Sequence, residues 1–185
     1  LEFRRVLFRS ALAAGGVGGV EGVTWRIAMA NRIPLSRGMG SSAAASVGGL
    51  VAGDALLGLL DRGLPAEDRL RIPSEIEGHP DNAAPALLGG FVVSAALEER
   101  YEAIRFDVPP ELVAIVFIPQ LWLETRAMRE ILPTKVPRAD AVANLGRVAL
   151  GVAGLASGRI DLLRALTVDR LHEPYRAKVF PQLPV

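Results

Sequence analysis

Between residues 23 and 33 the apolar side chains Val23, Trp25, Ile27, Met29 and Ile33 fall on alternate positions, opposite Thr24, Arg26 and Arg32. Alternation of this kind is the period of a half-buried strand, and Pro34 ends it. Residues 41–60 then form a long, almost uncharged stretch with small residues at its start, which predicts a helix with Ser41 or Ser42 available as its cap. Another helix is expected from Pro65, with Glu67 and Asp68 in its first turn, where acidic groups favour the helix dipole; Pro73 should break or kink it. After residues 79–82, a short helix through Leu88 should close at Gly89 and Gly90. Residues 91–97, 101–108 and 112–118 are strand candidates, separated by a charged turn and by Pro109 and Pro110. Helices are expected over 124–132, 139–157 and 161–171. Strands come in pairs and helices in runs, so the fold class is α+β rather than a regular βαβ alternation.

The nearly uncharged stretch raises the possibility of a membrane span. Asp54 interrupts it, and Gly48, Gly49, Gly53 and Gly58 dilute its hydrophobicity, which favours the buried helix of a soluble domain. No secretory leader is visible at the start, because Arg4, Arg5 and Arg9 are spread through the apolar residues of 1–10. These ten residues fit neither period and are expected to be non-native or assembly-derived. The 185 residues are 50% hydrophobic and 22% charged, the balance of a chain able to bury a core. With 21 basic and 20 acidic groups the net charge is +1, so no overall field draws nucleic acid or an anionic membrane, and any anion must be held locally. There is no cysteine, and only His79 and His172 represent histidine, which removes thiolate chemistry and makes a zinc centre a poor expectation. The default compartment is the cytoplasm.

Candidate chemistry concentrates first in Pro34, Leu35, Ser36, Arg37, Gly38, Met39, Gly40, Ser41, Ser42, Ala43 and Ala44, between the first expected strand and helix. Glycines there permit close approach and left-handed backbone. The free N–H groups and dipole of the following helix make a place for phosphate, and a serine hydroxyl could ligate magnesium. The Gly-Lys-Ser/Thr ending of a Walker A loop is missing, as is a G-x-G-x-x-G dinucleotide fingerprint. An alanine-rich helix entered through a tight turn, with no ligand, is the plain alternative. The segment nevertheless resembles the P-x-x-x-G-L/M-G-S-S-A motif of the GHMP kinases, a superfamily of galactokinase, homoserine kinase, mevalonate kinase and phosphomevalonate kinase.

The stretch 74–90, SEIEGHPDNAAPALLGG, gathers three carboxylates, a histidine and an amide ahead of a short helix. Carboxylates beside a triphosphate call for a bridging cation such as Mg²⁺; alternatively Asp81 and Asn82 merely cap a polar turn. The wording resembles homoserine kinases. That resemblance implies Glu75 as magnesium ligand, with Glu77 as the fallback, and Ser42 as its partner. It puts Asn82 where some sister kinases carry a catalytic aspartate, implying catalysis without a dedicated strong base, and leaves Asp81 as a candidate.

Residues 119–133, PQLWLETRAMREILP, are similar to a third family segment. Thr125 and Arg129 are four apart and share a helix face, and an arginine there can hold a carboxylate or phosphate in two bonds. The segment DRLHEPYR, 169–176, resembles a fourth, which implies Arg176 as a second arginine for the substrate carboxylate and His172 in a structural role. His79 and Asn82 would line the pocket. Departures from the family pattern are Met39, Pro73, Trp122 and Glu124.

The resemblance implies a GHMP kinase fold: part of a ribosomal-protein-S5-domain-2-like ATP-binding domain over 11–108, followed by the start of a helix-rich C-terminal domain over 109–185. It implies ATP and Mg²⁺ as cofactors, and transfer of phosphate to the hydroxyl of L-homoserine in threonine biosynthesis. It also allows a homodimer, with no nucleic-acid or membrane partner. Another small-molecule kinase of the superfamily, or a non-catalytic nucleotide-binding fragment, are the alternatives. Family motifs of the Asn-Leu-Gly-Pro-Gly-Phe-Asp type before residue 11 and of the Gly-Ser-Gly-Pro-Thr type near the end do not occur. An internal fragment with little kinase activity is therefore expected, with apolar surface left uncovered.

Overall fold

A computed structural model describes residues 28–35, 38–59, 63–98, 100–118 and 131–178. The chain divides into two compact units, Leu1–Ile118 and Pro119–Val185.

The first unit contains helices α1 (Ser41–Gly58), α2 (Ala66–Glu77) and α3 (Ala83–Leu88), then strands β1 (Phe91–Ala96) and β2 (Tyr101–Phe106). Almost every residue of α1 is apolar or small, so the sequence offers little to choose one face over another. Packing chooses the face that carries Ala43, Ser46, Val47, Leu50, Gly53 and Leu57, residues spaced three and four apart. Leu50 and Leu57 meet Leu64 and Ile72, with Ile76 against them, to form the core. Asp54, the charge that interrupts the apolar run, accepts the Leu64 N–H at 2.6 Å and pairs with Arg69 at 2.8 Å. The one carboxylate in α1 thus ties it to the segment that starts α2. All three helices pack on one another, and β1 and β2 form an antiparallel hairpin in which Phe91 stands opposite Phe106. Their rings meet edge to face at 6.2 Å.

Several expectations change. Ala28 to Ile33, the described part of the first expected strand, is not a strand: the Asn31 side chain accepts the Ile33 N–H at 2.9 Å and donates to the Ile33 carbonyl at 3.0 Å, consuming groups a ladder would use. Pro73 does not break α2, which runs through it to Glu77 with Pro73 fully buried. Burial compensates locally for the backbone hydrogen bond a proline forfeits. Residues 112–118 carry no strand assignment, and Val113, Ile115 and Phe117 are 75%, 76% and 88% exposed. An extended segment needs a neighbour's N–H and C=O groups to become a strand, and none of the described residues supplies them.

In the second unit, α4 (Arg138–Ala156) is followed by a 3₁₀ helix (Ile160–Thr167) and the single-turn α5 (Glu173–Arg176). The sequence predicts one helix over 161–171; the structure instead ends the 3₁₀ helix at Thr167 and turns at Asp169. Gly151 and Gly154 let the 3₁₀ helix press onto α4, since a Cβ at those positions would lie 2.4 Å from Leu166 Cγ and 2.6 Å from Leu162 Cβ. The expected helix over 124–132 falls mostly outside the described residues, and Ile131 and Leu132 are not helical.

Candidate functional site

The glycine-rich segment enters α1 through two left-handed residues, Gly38 at φ 69° and Gly40 at φ 68°. Gly40 is the residue that caps α1, and neither Ser41 nor Ser42 does, contrary to expectation. The helix start therefore keeps its first N–H groups without a side-chain acceptor among the described residues, the arrangement that favours an anion. The Gly40 carbonyl accepts the Ala44 N–H at 2.9 Å, the first turn of the helix. Pro34 and Leu35 precede this turn in irregular backbone, and Leu35 and Met39 are exposed. Ala43 points its methyl into the core and is fully buried. Ser36 and Arg37 lie outside the described residues.

The Ser42 hydroxyl is engaged elsewhere. It donates to Glu77 Oε1 at 2.9 Å, and Ser46, one turn further along α1, donates to the same oxygen at 2.9 Å. Glu77 rather than Glu75 is the carboxylate brought to Ser42. The correction has a helical reason: Glu77 follows the buried Pro73 and Ser74 by four and three residues and shares their face, whereas Glu75 follows Arg71 by four. Glu75 accordingly pairs with Arg71 at 3.0 Å, both half exposed. Arg71 also binds Asp68 at 2.7 Å, and its hydrogen bonds to Asp68 and Glu75 hold its pKa above the ordinary guanidinium value.

Glu77 is the last residue of α2, next to the left-handed Gly78, with no basic residue in that last turn. A carboxylate there sits at the negative end of its own helix, an unfavourable place. What compensates is the start of α1, whose two serines face it. Oε2 has no partner among the described residues. The donor set, one carboxylate and one exposed hydroxyl, consists of hard oxygens, and among the described residues no cluster of three or more acidic, histidine or cysteine side chains forms a complete cage. Those donors suit Mg²⁺, which takes one or two carboxylates and completes its shell with water and phosphate oxygens.

The turn from α2 to α3 closes the site from a second side. A Cβ on Gly40 would lie 3.1 Å from Asn82 Oδ1, so the Asn82 amide rests against the glycine segment. His79 and Asp81 pair with each other in the same turn, and the Asp81 side chain is 69% exposed. Loop, Ser42, Glu77 and Asn82 are thus assembled together.

In the second unit, Asp169 organises the segment that precedes Arg176. It accepts from Asn144 Nδ2 at 2.8 Å, from the Leu171 N–H at 2.6 Å and from the His172 N–H at 3.2 Å, while Oδ2 lies 2.6 Å from His172 Nδ1. Burial works to raise its pKa, but the hydrogen bonds from Asn144, Leu171 and His172 outweigh it and leave the carboxyl below the ordinary value. Arg176 Nε is buried without a hydrogen-bond partner among the described residues. Thr125 and Arg129 lie outside the described residues. Sequence reasoning missed Ser46, whose only signal was its spacing of four from Ser42.

Comparison with known proteins bears on the family and the fold. Residues 5–90 match the GHMP kinases N terminal domain. Homoserine kinase of Moorella thermoacetica is 44% identical over 176 residues, covering 95% of this chain and 58% of that protein. Homoserine kinase of Symbiobacterium thermophilum is 50% identical over 155 residues, covering 80% and 48%. Among solved structures, homoserine kinase from Cytophaga hutchinsonii superposes with a TM-score of 0.65 at 31% identity, over 80% of this chain and 48% of that one. A putative homoserine kinase from Listeria monocytogenes gives 0.60 at 31% identity, over 80% and 50%. The chain thus spans roughly half the length of these relatives. Residues 5–90 thus match the GHMP kinases N terminal domain, and the chain is similar at 44–50% identity to curated homoserine kinases and shares an α+β fold with solved ones.

Proposed function

We propose that this chain provides the ATP-phosphate and Mg²⁺ site of a homoserine kinase, a cytoplasmic enzyme of threonine biosynthesis that moves the γ-phosphoryl group of ATP to the hydroxyl of L-homoserine. The observation that carries this reading is the convergence of Ser42 and Glu77 at 2.9 Å beside the start of α1, which no side chain caps.

Phosphoryl transfer asks mainly for positioning and charge neutralisation. The N–H groups at the start of α1 and the backbone from Gly38 to Gly40 hold phosphate oxygens. Ser42 Oγ and Glu77 hold Mg²⁺, which when bound neutralises charge on the phosphate oxygens. The Asn82 amide, resting on Gly40, can orient the acceptor hydroxyl but takes no proton. Asp81 is exposed and already paired with His79, which suits it to shaping the turn better than to acting as a base. Arg129 and Arg176 fix the amino-acid carboxylate, and the unpartnered Arg176 Nε supports that role. Thr125 and His79 are the further residues assigned to the acceptor.

Calorimetric titration of ATP into the 185-residue chain, with Mg²⁺ and with EDTA, tests the site. Tighter binding with Mg²⁺ is expected, and Glu77→Gln and Ser42→Ala should each remove most of that gain while Glu75→Gln keeps it. Loss of the gain in Glu75→Gln with retention in Glu77→Gln would overturn the assignment. Assay of phosphate transfer to L-homoserine, mevalonate and galactose by the intact gene product tests the acceptor.

A further inference from the structure

Ser46 is fully buried, on the face of α1 that otherwise carries Ala43, Val47 and Leu50. A buried hydroxyl is costly unless it finds a partner, and this one reaches across 31 residues of sequence to Glu77 Oε1. Ser42, four residues earlier and exposed, donates to the same oxygen. A hydroxyl has one proton and two lone pairs, so Ser42 can ligate a cation while still donating to Glu77. Ser46 has no exposure through which to meet a ligand; its hydroxyl can act only on the carboxylate. With both donors on Oε1, Oε2 is the oxygen left to face a cation. Glu77 ends its helix at the unfavourable pole, and among the described residues its carboxylate is held against α1 by hydrogen bonds from Ser42 and Ser46.

We infer that Ser46 is a positioning residue for metal binding, locking the Glu77 carboxylate in the rotamer that presents Oε2 beside Ser42. This rests on the assignment of Ser42 and Glu77 to Mg²⁺. Partners of this kind typically contribute 10- to 100-fold to metal affinity, so Ser46→Ala should weaken Mg²⁺ binding in the presence of ATP by about tenfold. ATP affinity in EDTA should stay unchanged, because no charge is removed.

The test is a double-mutant cycle in the full 185-residue chain, with Mg²⁺ affinity at saturating ATP read by calorimetry for the parent, Ser46→Ala, Glu77→Gln and the double variant. In the Glu77→Gln background Ser46→Ala should have no further effect. An affinity for Ser46→Ala within twofold of the parent, or an equal loss in both backgrounds, overturns the inference, the latter because Ser46 would then act through the packing of α1. Failure of the parent itself to bind ATP better with Mg²⁺ than with EDTA sinks the metal assignment instead. Ser46→Cys, which keeps the branching of serine in a slightly larger side chain but donates weakly, should show the same loss; a parent-like affinity there overturns the inference even if Ser46→Ala fails to fold.

Discussion

Replacing Gly40 by alanine probes the contact between the two site segments, and Gly38→Ala is its control. Both glycines have nearly the same positive φ, 68° and 69°, so both substitutions incur the same left-handed strain, about 1–2 kcal/mol. Reduced freedom of the unfolded chain returns about 0.4–1 kcal/mol in each case. They differ in what the new methyl meets. At Gly38 nothing lies within 4 Å, whereas at Gly40 the Cβ arrives 3.1 Å from Asn82 Oδ1 and 3.5 Å from its Cγ. Asn82 must leave its rotamer by a few tenths of an ångström, which costs about 0.5–1.5 kcal/mol more. Gly38→Ala should therefore destabilise by about 1 kcal/mol and Gly40→Ala by about 2 kcal/mol. With an m-value of about 2 kcal/mol/M, urea midpoints followed by circular dichroism should fall by about 0.5 M and about 1 M. In an Asn82→Ala background only the Cβ at 3.6 Å remains, an ordinary contact, so the excess cost of Gly40→Ala should vanish. Equal midpoints for the two glycine variants, or an excess that survives Asn82→Ala, would show that Asn82 does not rest on the loop.

Three further outcomes follow from the second unit and from α1. Gly154→Ala places a methyl 2.6 Å from Leu162 Cβ and 3.0 Å from the Arg159 carbonyl, so overpacking of about 1–3 kcal/mol should exceed the helix-propensity gain of about 1 kcal/mol, and thermal unfolding should occur at lower temperature. Gly48→Ala, with nothing within 4 Å, should instead raise it by way of that gain; a fall would contradict the packing of α1. Asp169 has a folded-state pKa below its unfolded one, so its contribution is present above the unfolded carboxyl value of about 3.9 and is lost as pH falls through the lowered folded value. Urea midpoints of the parent and Asp169→Asn should thus converge between about pH 5 and about pH 3; a constant gap would refute the linkage.

What the sequence disclosed depended on whether the signal was local. The glycine segment is a local feature: two residues have positive φ and the next begins a helix, so its conformation can be read from the letters. Closure of α3 at Gly89 and Gly90 and the positions of β1 and β2 are local in the same sense. Which carboxylate reaches Ser42 is not. Glu75 and Glu77 are two residues apart and lie on opposite sides of a helix, and only the helical period carried through Pro73 says which side faces α1. Ser46 was hidden for a related reason: a serine among alanines and valines carries no sign of a partner 31 residues away. The strand expected over 23–33 has the right alternation and 112–118 is a continuous apolar run, but either pattern promises only burial, and among the described residues neither 28–33 nor 112–118 is paired in a sheet.

The position of Glu77 sets a sign for nucleotide binding that no purely structural role would produce. One carboxylate charge about 4 Å from one phosphate charge, at an effective dielectric of about 20, is repelled by about 4 kcal/mol. The start of α1 offers a bound anion typically about 0.3–1 kcal/mol, so the helix end alone does not offset the carboxylate. A divalent cation between them reverses the balance, because it attracts both. Glu77→Gln should therefore act in opposite directions: ATP binding in EDTA becomes tighter, since repulsion is gone, while binding with Mg²⁺ becomes weaker, since a ligand is gone. Glu75→Gln, half exposed and bonded to Arg71, should do neither. A structural glutamate would weaken both conditions together. Calorimetry in the two buffers separates the cases, and loss of ATP affinity by Glu77→Gln in EDTA as well as in Mg²⁺ would remove the carboxylate from the phosphate site.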